Sequence, residues 1–519
     1  STQLSVIMRC SSVMLLVLSQ CSSGARILAV FHTFSMSHFA VFEPLVLQLV
    51  ARGHHLVLVS GYPLSAPSDS YEHIDIVEAK RKFNGSWSLK SFPEIPPQFH
   101  RVLAIIREQI KENENIFRLK RVQELIDSER NFDLVIVEQF TSDVFYSFAR
   151  KFNAPLITFS SCPPMPWAMD QYGVPPSLAF SPNLFSGLTD KMAFPQRTLN
   201  TLQVLLAKLY QRFVLNRQSE AMSQKYFGGE TPALEDTVRT VSLLLVNSHF
   251  TFFSPKPLPP QVVEVGGIHV KPPRPLLQDL DRWLNASTDG VVYFSFGSML
   301  RGATLPEDKV RAFVEVFRTL PQRVLWKWED DSVSGLPDNV RLMKWLPQRD
   351  VLAHPKVKVF ISHGGLLGTT EAVVSGVPIL GIPMYGDQPN NVAALVEKGV
   401  AIHVDYNNIS VASLSYALNT LINDASYAAN AKELSRRFLD RPMSPLDTAV
   451  YWTEYVIRHR GAPHLQSAAV HLTWYQYYLL DVAAVCLAAL AAILATAFYI
   501  VRTSLRLLWA VKPAKLKSS

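Results

Sequence analysis

The sequence predicts an α/β protein built from two doubly wound halves that face a cleft, followed by one membrane-spanning helix. Three observations indicate this fold. The chain opens with the apolar run Arg26–Phe31, helical apolar spacing over 38–52 and a second apolar run His55–Ser60, which is a strand, helix and strand pattern. A second such series starts at 291–296. Residues 482–501 are uncharged, and twenty residues of helix span about 30 Å, the thickness of a bilayer core.

The composition excludes several classes of protein. With 519 residues the chain is too long for one compact core, so at least two domains are expected. Hydrophobic residues make up 48% and charged residues 18%, which excludes wholesale disorder. The net charge of +7 is modest, and zinc-type Cys/His spacing and long basic runs are absent from the sequence, so nucleic-acid binding is not predicted.

The cysteines do not form a disulfide framework in the body of the protein. Of the four, Cys10 and Cys21 lie in the N-terminal segment and Cys486 lies in the apolar span. Only Cys162 remains, so the body has to be stabilised by packing.

Residues 1–25 have the layout of a secretory signal peptide. Arg9 precedes the apolar stretch 13–18, and small residues follow, with Ser23 and Ala25 at positions −3 and −1 of a cleavage site. The sequence therefore predicts export into a lumen, with cleavage near Ala25.

A transmembrane helix is predicted over 479–501, with a cytoplasmic tail over 502–519. Aromatic residues precede it, typical of a membrane interface, and the tail is basic with no acidic residue, so the tail should face the cytoplasm. The aromatic residues are Trp474, Tyr475, Tyr477 and Tyr478, and the basic residues are Arg502, Arg506, Lys512, Lys515 and Lys517.

These segments predict a single-pass type I protein of the endoplasmic reticulum whose body is lumenal. Lys515 and Lys517, five and three residues from the end, resemble a dilysine retrieval signal. The sequons at Asn84, Asn285 and Asn408 agree with a lumenal, glycosylated body.

The body divides into two halves and their connections. We predict an N-terminal domain over 26–255, a Pro-rich linker over 256–276, a C-terminal domain over 277–455 and a returning segment over 456–478. Residues 160–215 are rich in Pro, Met and aromatic residues without clean periodicity, and they are interpreted as loop and pocket material. Further strands are expected at 132–137, 156–159, 243–247, 323–328, 357–362 and 379–383.

The most specific segment runs from Trp345 to Gln388. A strand ending at Ser362 is followed by His363-Gly364-Gly365 and a helix, so the turn presents backbone N–H groups at a helix N-terminus, which suits a pyrophosphate. His363 adds a donor, Glu371 is an acceptor for ribose hydroxyls, and Trp345 offers a flat face for a base. Asp387 and Gln388 follow the next strand and suit the hydroxyls of a sugar.

This ordered set resembles the signature of the UDP-glycosyltransferases, which include animal glucuronosyltransferases and insect glucosyltransferases. The resemblance covers essentially the whole chain. Two segments, 363–367 and 441–447, look most like the insect branch. The resemblance implies the GT-B fold, two Rossmann-like domains, with the UDP-sugar in the C-terminal domain and the acceptor in the N-terminal domain.

The resemblance also implies roles for individual residues. Trp345 and Gln348 would contact uracil, Glu371 the ribose, and Asp387 and Gln388 the sugar. The phosphates would be held by Ser298, His363, Gly364, Gly365 and Gly368. Many relatives carry Asn four residues after the signature His, where this chain has Leu367, so a polar contact there is not expected.

Inversion at an anomeric carbon needs a base for the acceptor hydroxyl, and a histidine is suited to this step. His38, where a helix starts, is the preferred candidate, and His32 is interpreted as a packed loop residue. The base needs an anion beside it. Glu138 and Asp143 both follow a strand, and the insect-like run 138–143 favours Asp143, with Glu138 as the alternative.

The resulting hypothesis is an inverting hexosyltransferase that moves glucose from UDP-glucose to a hydroxyl of a small lipophilic acceptor. Neither a cofactor nor a metal is expected, because 279–281 is better explained as part of an amphipathic helix than as a metal motif. The lipid bilayer is the other expected partner. Two alternatives stay open: UDP-glucuronic acid as the donor, and a non-catalytic lipophile-binding protein. Monomer and homo-oligomer also remain alternatives.

Overall fold

A computed structural model describes residues 24–66, 68–80, 87–89, 98–184, 186–228, 233–253 and 255–510. The body up to Gln466 and the segment from Ser467 onward are two separate compact units. Residues 1–23 of the predicted signal peptide, the sequon at Asn84 and the lysines at 512, 515 and 517 lie outside the described residues.

The first half of the body is a parallel seven-stranded sheet. Its inner strands are buried on both faces, which is why they appear in the sequence as continuous apolar runs rather than alternating ones. From one edge to the other they are Tyr71–Asp75, His55–Ser60, Arg26–Phe31, Leu134–Glu138, Leu156–Ser160, Val241–Val246 and Val262–Glu264.

The second half is a parallel six-stranded sheet of the same doubly wound kind. In both sheets the strand order reverses direction beside the first strand of the half, and a crevice opens at such a point. From edge to edge the strands are Val340–Met343, Arg323–Lys327, Val291–Ser295, Val357–Ser362, Ile379–Gly381 and Ala401–His403.

Helices cover both faces of each sheet and complete the expected α/β architecture. In the first half they are Met36–Ala51, Gln98–Arg118, Lys120–Asp127, Ser147–Lys151, Phe194–Tyr210, Asn216–Phe227, Leu234–Val238 and Phe250–Phe253. In the second half they are Gln278–Asn285, Glu307–Thr319, Gln348–Leu352, Leu366–Ser375, Gln388–Glu397, Val411–Asn423 and Ala425–Leu439, and a last helix is Pro445–Arg458.

Three boundaries differ from the sequence prediction. The strand Val262–Glu264 lies in the predicted linker, yet it completes the first sheet. It was not predicted because the prolines on both sides of it indicated a linker. Within 160–215, interpreted as loop material, the structure has the long helix Phe194–Tyr210. The helix Pro445–Arg458 packs on Met36–Ala51 of the first half, so the chain returns before residue 456, the predicted boundary.

Other contacts also join the halves. The short strand Trp87–Ser88 pairs in parallel with Leu300–Arg301 of the second half, and the next residue, Leu89, is buried in the core of that half. The two chain crossings touch each other, because the Arg441 guanidinium donates a 2.8 Å hydrogen bond to the carbonyl of Gly266.

The C-terminal unit contains the helix Leu480–Ala510, which is long and apolar enough to cross a membrane. Its 31 residues extend beyond residue 501, where the predicted span ended. The extension is physically reasonable because the first proline after the apolar stretch is Pro513, so no residue in 502–510 interrupts the helix.

Candidate active site

The candidate site residues follow the strands at the two crevices. In the first half, Arg26–Phe31 and Leu134–Glu138 are neighbours in the sheet, so the end of one lies beside the loop after the other. In the second half, Val291–Ser295 and Val357–Ser362 are neighbours in the same way. The fold therefore brings together residues that are about a hundred positions apart in the first half and about sixty in the second.

His38 forms a hydrogen bond with the buried carboxylate of Glu138. Its Nδ1 lies 2.7 Å from Oε1 of Glu138, whose side chain is fully buried, and 2.8 Å from the hydroxyl of Ser161. The other carboxylate oxygen of Glu138 accepts from the backbone N–H of Thr33 at 3.1 Å. Burial alone raises the pKa of Glu138, but the hydrogen bond from His38, the charges of His38 and His32 and the Thr33 N–H bring it below its usual value. Glu138 is thus suited to remain a carboxylate beside an imidazole.

The preference for Asp143 as the partner of His38 is wrong in this structure. The Asp143 carboxylate accepts a 3.0 Å hydrogen bond from the side-chain amide of Gln171. Burial raises the pKa of Asp143 to about 6. The physical reason is position: Glu138 is the last residue of its strand and adjoins the loop after Phe31, whereas Asp143 comes five residues later.

His32 and Ser161 complete the surroundings. The imidazole of His32 stacks on Phe145, and neither of its ring nitrogens has a hydrogen-bond partner among the described residues. Burial lowers its pKa, which fits the expected packed role. Ser161 was missed by the sequence prediction, although it follows Leu156–Ser160, the strand beside Leu134–Glu138, and that neighbourhood could have indicated it.

The glycine turn of the second half is packed against the ring of His363. A methyl group at Gly365 would lie 2.5 Å from Nε2 of His363, and one at Gly297 would lie 2.7 Å from its Cε1. Gly364 has φ +81, where a side chain would be strained. Burial lowers the pKa of His363 to about 4, and the charge of Lys327 acts in the same direction. His363 is therefore a neutral donor at pH 7.

Two residues predicted to bind a nucleoside contact each other directly. The amide of Gln348 donates to the Glu371 carboxylate at 2.7 Å, and burial raises the pKa of that carboxyl. Gly368 faces the same pair, since a methyl group there would lie 2.9 Å from the Gln348 amide nitrogen. Trp345 is 70% exposed, and the ammonium group of Lys327 lies over its ring at 5.9 Å from the centroid.

Asp387 and Gln388 are arranged differently from each other. The amide of Asn391 donates to Asp387 at 2.8 Å and also to the carbonyl of Gly364. Burial raises the pKa of Asp387, while the hydrogen bond from Asn391 acts to lower it. Gln388 uses its carbonyl oxygen to accept from the backbone N–H groups of Met384 and Tyr385. Gln388 therefore fixes the turn that precedes its own helix.

Several remaining predictions concern the edges of the site. Ser298 is exposed just after the strand Val291–Ser295. Leu367, the departure from the family pattern, is a partly buried apolar side chain packed on the cores of both halves. Asn285 and Asn408 are exposed, and their glycosylation stays a prediction.

A cavity lies beside the first half, lined mainly by residues of 163–184 and 246–264. Residues 163–184 belong to the segment 160–215 interpreted as pocket material, and they line this cavity. Among the described residues that line it, neither His38 nor Asp387 occurs, so its use by an acceptor stays a prediction.

Comparison with known proteins identifies the family. Residues 25–513 match the family described as UDP-glucoronosyl and UDP-glucosyl transferase. The chain belongs to the UDP-glycosyltransferase family. It is 43% identical to "UDP-glycosyltransferase UGT5" of Dactylopius coccus over 94% of this chain and 93% of that one. It is also 40% identical to "UDP-glucosyltransferase 2" of the same insect, over 97% and 98% of the two chains.

More distant relatives include a human enzyme and solved structures. "UDP-glucuronosyltransferase 2B7" of Homo sapiens is 32% identical over 93% of this chain and 94% of that one. The solved spinosyn forosaminyltransferase SpnP aligns with a TM-score of 0.57, 17% identity, and coverage of 84% of this chain and 100% of that one. The glycosyltransferase described here therefore has the GT-B fold, as the sequence predicted.

Proposed function

We propose that this UDP-glycosyltransferase transfers glucose from UDP-glucose to the hydroxyl of a small lipophilic molecule with inversion, and that His38 is the general base. The observation that supports the proposal most is the hydrogen bond between His38 and the buried carboxylate of Glu138. With Nδ1 donating to the carboxylate, Nε2 keeps its lone pair for the acceptor proton. The imidazolium formed in the transition state is stabilised by the charge of Glu138.

The donor is assigned to the second half. Trp345, Gln348 and Glu371 bind the nucleoside, and Asp387 with Gln388 holds the sugar. The phosphates and the charge that develops on the leaving UDP are held by Ser298, by the N-terminus of the helix Leu366–Ser375 and by neutral His363, since helix N-termini favour anions. This assignment needs neither a cofactor nor a metal.

Glucose is favoured over glucuronic acid by the insect-like segments and by the names of relatives. One Dactylopius relative at 40% identity is named a glucosyltransferase, whereas the human relative at 32% is named a glucuronosyltransferase. The test is an assay of the full chain in microsomes with labelled UDP-glucose or UDP-glucuronic acid and a panel of phenols and steroids. Faster transfer from UDP-glucuronic acid would refute the donor assignment, and no transfer from either donor to any acceptor would favour the lipophile-binding alternative.

The proposal also covers the location. The signal-peptide pattern, the sequons and the basic tail support a lumenal body anchored in the endoplasmic reticulum membrane by the helix Leu480–Ala510.

Asp387→Ala is expected to lower glucosyl transfer by about 5- to 150-fold while UDP still binds, because an unpaired buried partner costs about 1–3 kcal/mol. Asp387 is assigned to the sugar rather than to the nucleotide. Transfer is measured by product formation and UDP binding by calorimetry. An equal loss of UDP affinity would show that Asp387 supports the nucleotide instead.

Gly365→Ala is expected to weaken UDP binding by about 5- to 150-fold, which corresponds to the about 1–3 kcal/mol that overpacking costs. The added methyl group would displace the ring of His363 from the glycine turn. Gly302→Ala is the matched control, because a methyl group there comes no closer than 3.4 Å to a neighbour, which is ordinary contact. Unchanged UDP affinity in Gly365→Ala would remove the glycine turn from the phosphate site.

A further inference from the structure

The helix Phe194–Tyr210 has an inverted amphipathic pattern. The side that faces the body includes Asn200, which is fully buried and hydrogen-bonded to the backbone of Asn183, Leu178 and Ser181. The opposite side is apolar and exposed. We call it the leucine face, and it consists of Leu199, Leu202, Leu205, Leu206 and Leu209, each 48–55% exposed.

The leucine face is one continuous stripe. At 3.6 residues per turn these five positions fall within about a third of the helix circumference, and that arc is centred opposite Asn200 and Val204. Phe213, 52% exposed, extends it beyond the C-terminal end of the helix, and Phe194, 73% exposed, lies near its N-terminal end. Contiguous exposed apolar patches of this kind mark interaction surfaces in folded proteins.

Basic residues predominate around the leucine face, although Lys191 pairs with Glu397 and Lys208 pairs with Asp170. The segment 191–219 contains Lys191, Arg197, Lys208, Arg212 and Arg217 and no acidic residue. Apolar side chains on one face with cationic residues at its borders are typical of helices that lie in the surface of a membrane with anionic headgroups.

The same chain carries a helix that can cross a bilayer. Residues 467–479 connect the body to the start of the helix Leu480–Ala510, and a fully extended connection of that length reaches about 45 Å at about 3.5 Å per residue. Insertion of that helix would keep the body within this distance of a lipid surface. The effective concentration of lipid near the body would then be high, so even a weak affinity for lipid would produce a frequently occupied contact.

A second copy of the chain fits the leucine face less well. A helix of 17 residues is about 25 Å long and about 10 Å wide, so one such face offers roughly 250 Å² to a partner. A stable protein interface buries about 800 Å² on each side.

From these observations we propose that the leucine face lies in the surface of the phospholipid bilayer that anchors the chain, so that the helix Phe194–Tyr210 is a second, interfacial membrane contact. This contact is independent of the proposed reaction. It places the first half, which is expected to bind the lipophilic acceptor, directly on the phase in which such molecules dissolve.

The test is a depth measurement on the full chain. Leu206→Cys is labelled with the fluorophore NBD in a background that carries Cys10→Ala, Cys21→Ala and Cys486→Ala, where Cys162 is buried, and is reconstituted in phosphatidylcholine and phosphatidylserine vesicles. Quenching by doxyl-labelled lipid but not by aqueous iodide is expected. Tyr416→Cys, at a 70% exposed apolar position on the helix Val411–Asn423, is the matched control and should be quenched by iodide only.

Two results would overturn the proposal. Quenching of the label at position 206 by iodide alone would show that the leucine face is in water. Protection from both quenchers, together with disulfide cross-linking between copies of the unlabelled Leu206→Cys variant, would show that a second copy covers it. UDP binding by each labelled protein is the control for folding. If UDP binding is retained, the quenching measurements describe the folded protein.

Discussion

Replacement of His38 by alanine is expected to reduce kcat by a factor of about 10²–10⁴, the usual contribution of a general base. The imidazole is held through Nδ1 by Glu138 and Ser161, so Nε2 is the atom left to take the acceptor proton. UDP affinity should be nearly unchanged, because the residues assigned to UDP belong to the second half. Turnover with a phenolic acceptor and calorimetric UDP binding measure the two quantities.

Added imidazole provides the control for this variant. If the loss is that of a base, free imidazole should restore part of the activity of His38→Ala, whereas a variant with a damaged fold gains nothing. A fully active His38→Ala would eliminate the His38–Glu138 pair as the catalytic unit and direct attention to His32, whose ring lies 3.9 Å from the same carboxylate.

Glu138→Gln is expected to lower kcat by about 10²–10⁴ as well, because a neutral amide can hold the imidazole but cannot stabilise its cation. Asp143→Asn is the matched control, since both carboxyl groups are buried and five residues apart. Asp143 contacts Gln171, and burial already raises its pKa to about 6, so loss of its charge should change kcat little. Steady-state rates of the two variants side by side decide the assignment.

The reverse result would return the partner role to Asp143. If Asp143→Asn were inactive and Glu138→Gln active, the catalytic state would differ from the arrangement in which His38 contacts Glu138. A loss in both variants with normal UDP binding would indicate that the two carboxylates act together on the base.

Much of the fold could be predicted because parallel strands are buried on both faces. The runs Arg26–Phe31, His55–Ser60 and Val357–Ser362 have the predicted bounds, and the order of the motifs along the chain placed the glycine turn after the correct strand. The candidate donor residues were predictable for the same reason, since strand ends and the turns after them are local features of the sequence.

The partner of the base could not be assigned in this way. The sequence predicted that the strand ends at 137, but it continues through Glu138. Because Glu138 is part of the strand, its side chain adjoins the loop after the first strand, and a difference of one residue was beyond the precision of the prediction. The helix Phe194–Tyr210 was missed for a different reason. Its leucines recur at helical spacing, but the prolines, methionines and aromatic residues of the preceding stretch 160–195 led the whole segment to be interpreted as loop material.

The return of the helix Pro445–Arg458 to the first half has a mechanical consequence. The chain passes between the halves twice, and the two passages are joined where Arg441 meets Gly266. Two adjacent connections would favour opening of the cleft by rotation about an axis through them, with a displacement that grows with distance from that axis. The pairing of Trp87–Ser88 with Leu300–Arg301 connects the halves at a second place. An opening that separates these two strands would have to break their backbone hydrogen bonds before the product could leave between them.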